Sequence, residues 1–268
     1  MSGFWVEMKK INFFGLELSI FSKQYLAKIY KDIVVNKKNS CVLFGWSLTT
    51  IPKIKEYPRL VNIVNSFEFN IPDGRGLYYV LRLMGYDLPK HFSIPDMVDH
   101  ILSLANDQKI PIYLLGGTKQ INDAAKNNIA KQFHSIPVVG GRNGYFSSQK
   151  IDEIIDDLRI ASPGIILLGM STPLKEDLAE LLRINLSSCM IVPCGGVIDI
   201  FAGKTSREPK IFQKLALAWL YRFCLEPRRL FGPVLVNGIK CITIDLPACF
   251  FQKYILKKTS YTFEQYYS

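Results

Sequence analysis

The residues best suited to chemistry are carboxylates and glycines that follow short apolar runs. Asp73 stands in Pro72-Asp-Gly-Arg-Gly76, directly after the apolar run 67–71, and the glycines at 74 and 76 leave room for a ligand beside its carboxylate. A carboxylate at such a place can take the proton of a hydroxyl nucleophile as its new bond forms. The same residue could also do no more than cap a helix over 74–84. Asp199 follows Gly195-Gly196 and is the rival; it reads equally as a structural carboxylate that bonds the glycine turn or a ribose hydroxyl. The loops Gly116-Gly117, Gly169-Met-Ser171-Thr172 and Gly195-Gly196 can present backbone amides to a phosphate. Glycine also permits tight turns with no ligand at all. None of these loops has the spacing of a dinucleotide fingerprint or a P-loop.

These residues need a scaffold, and the hydrophobic pattern supplies one. Short apolar runs at 41–44, 67–71, 112–115, 137–139, 165–168 and 190–192 read as buried strands. Segments 74–84, 95–106, 120–133, 149–160 and 173–186 carry helical spacing with polar faces. The alternation predicts an α/β fold, a Rossmann-like parallel sheet flanked by helices, in which ligands bind where strand ends lead into helices. The pattern stops after Gly203. The division predicted is therefore an α/β catalytic domain over 1–202 and a basic, amphipathic, helical C-terminal appendage over 203–268. Within the appendage, Phe212, Leu215, Trp219 and Phe223 share one face of a helix that Pro209 would open and Pro227 would end or kink.

Composition bounds the function. The chain has 268 residues, 49% hydrophobic and 21% charged, which is globular rather than disordered. Its net charge of +10 is concentrated: residues 203–268 hold eleven Lys or Arg against four acids, a net +7 that attracts phosphates or an anionic membrane surface. Phe231, Val234, Leu235, Val236, Ile239, Phe250, Phe251, Tyr254 and Ile255 sit among Lys240, Lys253, Lys257 and Lys258, a mixture suited to lying in a membrane interface; core packing or a homo-oligomer contact would use the same apolar residues. No uncharged apolar stretch is long enough to span a bilayer, and residues 1–21 lack a secretory pattern, so a cytoplasmic protein is expected. The six cysteines have no C-x-x-C pair and the three histidines lie apart, so neither a disulfide framework nor a metal site is expected.

Five blocks, in order over most of the chain, give it a specific resemblance. They are Pro72-Asp-Gly-Arg-Gly-Leu77 with Arg82-Leu-Met-Gly85; Tyr113-Leu-Leu-Gly-Gly117; Gly144-Tyr-Phe146; Gly169-Met-Ser-Thr-Pro173 with Glu176; and Gly195-Gly-Val-Ile-Asp199 continuing through Ala202-Gly-Lys204 to Trp219-Leu-Tyr-Arg222 and Glu226-Pro-Arg-Arg-Leu230. The chain resembles the WecG/TagA/CpsF glycosyltransferases. The resemblance implies an inverting transfer, with no metal or other cofactor, from a UDP-sugar donor, N-acetylmannosamine or its uronic acid favoured, to an undecaprenyl-diphosphate-linked sugar acceptor in surface polysaccharide assembly. It implies a peripheral location on the inner face of the cell membrane. It favours Asp73 as the base, assigns Gly116, Gly117, Gly169, Ser171, Thr172, Gly195, Gly196 and Asp199 to donor binding, and adds Glu176, whose place in the first helical turn the macrodipole would favour anyway. Arg222, Arg228 and Arg229, with Arg207 just upstream, then fit the acceptor diphosphate, which a planar guanidinium can grip in pairs.

The match departs at three places. Gly45 stands where the family usually has threonine, leaving Ser47 or Thr49 to supply a hydroxyl; Leu174-Lys175-Glu176 replaces Lys-Gln-Glu; and Gly232-Pro233 follows Arg229 where relatives often carry more basic residues. Binding to nucleic acid is not expected, because the charge lies on an apolar tail without a nucleic-acid motif. A nucleotide-dependent oxidoreductase lacks its fingerprint here. A catalytically inactive membrane-associated scaffold of an assembly complex is the alternative that a missing threonine would encourage.

Overall fold

The computed structural model describes residues 8–257 apart from 14, 51, 52, 54, 55 and 216. Two strands, β1 (Lys9–Phe13) and β2 (Leu16–Ile20), form an antiparallel hairpin. Six more make a parallel sheet: β3 (Cys41–Trp46), β4 (Phe69–Pro72), β5 (Ile112–Gly116), β6 (Val138–Arg142), β7 (Ile165–Gly169) and β8 (Met190–Pro193), in the order β4-β3-β8-β7-β5-β6. The six expected strands are all present, within three residues at each end. The hairpin was not foreseen, because Asn12, Glu17 and the lysines break its short apolar alternation. It lies against β4, where Ser19 Oγ accepts the Asn70 backbone N–H at 3.2 Å.

Side-chain alternation along the strands explains the two helix layers. Val42, Phe44 and Trp46 point into one core with Leu115, Ile166, Leu168 and Ile191, while Cys41, Leu43, Leu114, Ile165, Leu167 and Val192 point into the other. Successive strand residues face opposite sides, so a sheet covered on both faces must be apolar at every position. The covering helices include Gly74–Leu83, Ile94–Gln108, Lys119–Gln132, Ile151–Ala161 and Leu174–Asn185, close to the expected segments. Cys41, Cys189, Cys194 and Cys241 are buried, whereas Cys224 is exposed.

The C-terminal part departs from the single helix expected over 211–223. Helix Lys210–Lys214 ends before a second one, Ala218–Leu225, and Leu215, expected on an apolar face, is exposed. Pro209 sits just before the first of these and Pro227 opens the next turn, Pro227–Leu230. From there α and π turns follow without a break through Phe231–Val236, Asn237–Lys240 and Cys241–Asp245 to Leu246–Tyr254. One side of this run docks on the sheet domain: Cys241 is buried in the core, Leu246 and Phe250 pack against it, and Tyr254 donates its hydroxyl to Leu83 O at 3.0 Å. Phe231, Ile239, Ile242, Ile244, Phe251 and Ile255 are exposed. Among the described residues no helix is long and apolar enough to cross a membrane.

Two glycines are required by close approach. A Cβ on Gly116 would lie 2.3 Å from Gly169 O, so the ends of β5 and β7 meet only without a side chain there. At Gly45 a Cβ would lie 2.4 Å from Ile94 Cγ1 and 3.1 Å from Asp73 Cβ. The buried Ile94 side chain thus fills the space beside β3 that a side chain at 45 would use. Gly45→Ala should lower stability by about 1–3 kcal/mol through overpacking. Adding Ile94→Ala should recover part of that loss in urea unfolding, although Ile94→Ala alone is destabilising; strict additivity would show that the two positions do not compete for space.

Candidate functional site

The ends of β3, β4 and β8 and the first turn after β7 surround a cavity of about 530 Å³. Its wall includes Gly45 near the end of β3 and Ser47 beyond it, Asp73 to Gly76 beyond β4, Lys175 beyond β7, and Cys194 to Val197 beyond β8. This is the edge at which an open parallel sheet binds ligands. The opposite wall comes from the C-terminal part, with Glu208, Gln213, Trp219, Arg222, Gly238 and Ile242.

Asp73 occupies the N-cap position of Gly74–Leu83 with extended backbone, yet its side chain makes no capping bond to that helix. Oδ1 instead accepts the Ile94 N–H at 2.9 Å, the first amide of the following helix. Among the described residues its other oxygen has no partner, and the carboxylate lines the cavity. Of the other two cavity carboxylates, Asp96 is engaged and Glu208 lies beside a cation, its Oε2 without a hydrogen-bond partner among the described residues. Asp96 is N3 of a capping box with Ser93 and pairs with Arg207; burial pushes its carboxyl up, but the Ser93 hydrogen bonds and Arg207 outweigh this and hold it below the usual range. Glu208, itself buried, has Arg222 Nη2 at 3.5 Å. A carboxylate with an uncommitted oxygen facing a cavity is the arrangement a general base requires.

This chain belongs to the glycosyl transferase WecG/TagA/CpsF family, whose sequence profile matches residues 11–253. It is also similar to the N-acetylglucosaminyldiphosphoundecaprenol N-acetyl-beta-D-mannosaminyltransferase of Bacillus spizizenii, 26% identical over 172 residues. That alignment covers 64% of this chain and 66% of the relative's length.

The structure brings together only some of the residues that the family resemblance singled out. Asp73, Gly195, Gly196 and Arg222 line one cavity. Asp199 lies one turn beyond, with Lys204 Nζ 3.4 Å from Oδ1. Gly116, Gly117 and Gly169 are at neighbouring strand ends outside that lining, and their lack of side chains is consumed by contacts with Gly169 O, Ile121 and Ile198 respectively. Ser171 and Thr172 also lie outside it; Thr172 Oγ1 donates to Glu176 Oε1 at 2.8 Å. Glu176 is 1% exposed, and burial pushes its carboxyl above the usual range. Arg207 has both Nη groups engaged, Nη1 with Asp99 at 2.7 Å and Nη2 with Asp96. Arg228 is exposed and outside the cavity lining, and the Arg229 side chain lies outside the described residues. At the departure from the family pattern, Ser47 lines the cavity and shares a hydrogen bond with Thr50 at 3.0 Å; the Thr49 side chain is outside the described residues.

His91 was missed, because its sequence signal is a lone histidine in the loop before Ser93. Its ring meets Tyr78 edge-on at 5.3 Å, and Nε2 is buried with no hydrogen-bond partner among the described residues. Desolvation lowers its pKa below 6.5, reinforced by Arg75 and opposed by Asp73, Asp96 and a hydrogen bond to Gly74. The folded state therefore favours neutral imidazole, while the unfolded chain takes up a proton near pH 6.5. The sign follows: the His91 contribution to stability is complete above that pH and is lost as pH falls below it. Urea unfolding at about pH 7.5 and about pH 5.5 should show a larger drop for the wild type than for His91→Gln. Equal drops would mean that His91 titrates as an exposed histidine.

Proposed function

We propose that this chain transfers an N-acetylmannosamine-type sugar, or its uronic acid, from UDP to an undecaprenyl-diphosphate-linked sugar. The observation that carries the reading is Asp73, a carboxylate fixed through one oxygen at the edge of a cavity large enough for a nucleotide sugar. Family membership and the printed name of the Bacillus relative support the reaction class and the acceptor. In this reading the acceptor hydroxyl approaches the anomeric carbon, Asp73 takes its proton, and the carbon–diphosphate bond breaks on the opposite side. A single displacement of this kind inverts the anomeric centre. The charge on the departing diphosphate is met by backbone amides of the Gly195-Gly196 turn and by cavity cations rather than by a metal.

The acceptor enters with a lipid, and the C-terminal wall suits it. Arg222 lines the cavity, while the exposed apolar residues of the helical run between Phe231 and Ile255 lie among lysines. Such a face rests in the headgroup region of an anionic leaflet, and we assign it to the inner surface of the cell membrane.

The test is release of UDP from a panel of UDP-sugars, with a lipid-diphosphate-linked N-acetylglucosamine acceptor and with or without anionic vesicles. Asp73→Asn keeps an acceptor oxygen for the Ile94 amide but removes the base, so turnover should fall about 10²- to 10⁴-fold with the fold intact. Chelator should leave the wild-type rate unchanged, and vesicles should raise it. Normal turnover by Asp73→Asn would remove the assignment of the base.

A further inference from the structure

We propose that Lys175 holds the diphosphate of the nucleotide donor and stabilises it as the leaving group. The proposal rests on the donor reading above and adds a residue to it. Lys175 is the second residue of helix Leu174–Asn185, where the helix dipole disfavours a cation, and its side chain is only 17% exposed. Lysine is seldom held in such a place without a partner that repays its lost hydration. Among the described residues its carboxylate partner is Oε1 of the buried Glu176, 3.6 Å away. Nζ lies 5.1 Å from the centroid of the Phe44 ring on β3, and an ammonium with three N–H donors beside a single carboxylate keeps donors for a ligand in the cavity that Lys175 lines. The other cavity cations also have neighbours: Arg222 Nη2 lies 3.5 Å from Glu208 Oε2, and Arg75 donates to the Tyr79 hydroxyl at 3.5 Å.

The position favours the donor over the acceptor, although both carry a diphosphate. Lys175 lines the cavity together with Cys194, Gly195 and Gly196, its Nζ 5.1 Å from the ring centroid of the fully buried Phe44 on the sheet. A compact soluble nucleotide can end there. A lipid-linked acceptor must lead its chain back out past the C-terminal wall. In the transfer, the acceptor oxygen bonds to the anomeric carbon, the bond to the diphosphate oxygen breaks with its electron pair left on that oxygen, and Asp73 receives the acceptor proton. Lys175 donates a hydrogen bond to the diphosphate and keeps its own proton. Glu176 is the fixed counter-charge that holds the ammonium in place, with Thr172 bonded to it in turn.

The experiment is calorimetric titration of the full chain with UDP, uridine and a short-chain polyprenyl-diphosphate-linked sugar, for the wild type, Lys175→Gln and Lys175→Arg. Removing one charge-assisted hydrogen bond should weaken UDP binding by Lys175→Gln about ten- to a hundredfold, leave uridine and the lipid-linked acceptor unaffected, and be largely restored by arginine. Unchanged UDP affinity, an equal loss for uridine, or a loss confined to the lipid-linked sugar would each overturn the proposal. Should Lys175→Gln fail to fold, Lys175→Met, of similar volume, carries the same comparison. A wild type that binds none of the three would instead overturn the donor reading itself.

Discussion

The site depends on one hydrogen bond and the steric condition that allows it. Asp73 follows β4, and its carboxylate is turned away from the helix it precedes to accept the first amide of Ile94–Gln108. That amide can reach it only because Ile94 packs against β3 at Gly45, where any side chain would collide. The capping box of Ser93 and Asp96 fixes the same helix end. A carboxylate with one oxygen committed in this way has little rotational freedom left, and positional precision of that order is what proton abstraction requires.

The same helix end ties the C-terminal part to the sheet. Asp96 bonds both Ser93 and Arg207, and Asp99 takes the other arm of the guanidinium. Arg207, which the resemblance offered to an acceptor diphosphate, is thus engaged within the chain. From it the backbone leads directly to Glu208 and on to Arg222, which do line the cavity. The wall opposite Asp73 is held by this charge cluster on one side and by Cys241, Leu246 and Phe250 packed into the core on the other.

Much of the fold was legible because a sheet buried on both faces writes itself as short, fully apolar runs, and β3, β5, β7 and β8 are such runs. The hairpin and the helices Lys23–Tyr30 and Arg59–Asn65 were not, because partly exposed elements carry mixed patterns that any loop can share. Asp73 could be singled out from its glycines, but not the choice between capping and catalysis, since both need an acid just before a helix; only the direction of the side chain separates them. Gly45 looked like a loss until Ile94, forty-nine positions on, was seen to fill its space. His91 and Lys175 carry no such signal for a related reason: a lone histidine and a first-turn lysine become informative only when their burial and neighbours are known. The glycines at 116 and 169 show the converse, residues noted for a ligand whose want of a side chain is used by the approach of Gly169 O and of Ile198 respectively.

The central claim is that the Asp73 carboxylate faces the acceptor hydroxyl across the cavity. The most direct measurement is a structure of Asp73→Asn bound to UDP and a short-chain lipid-diphosphate-linked sugar. The account predicts the acceptor hydroxyl about 2.6–3.2 Å from the free oxygen or nitrogen of residue 73, with the bond to the Ile94 amide retained. An acceptor hydroxyl well beyond hydrogen-bond reach of residue 73, and directed to a different carboxylate, would contradict it.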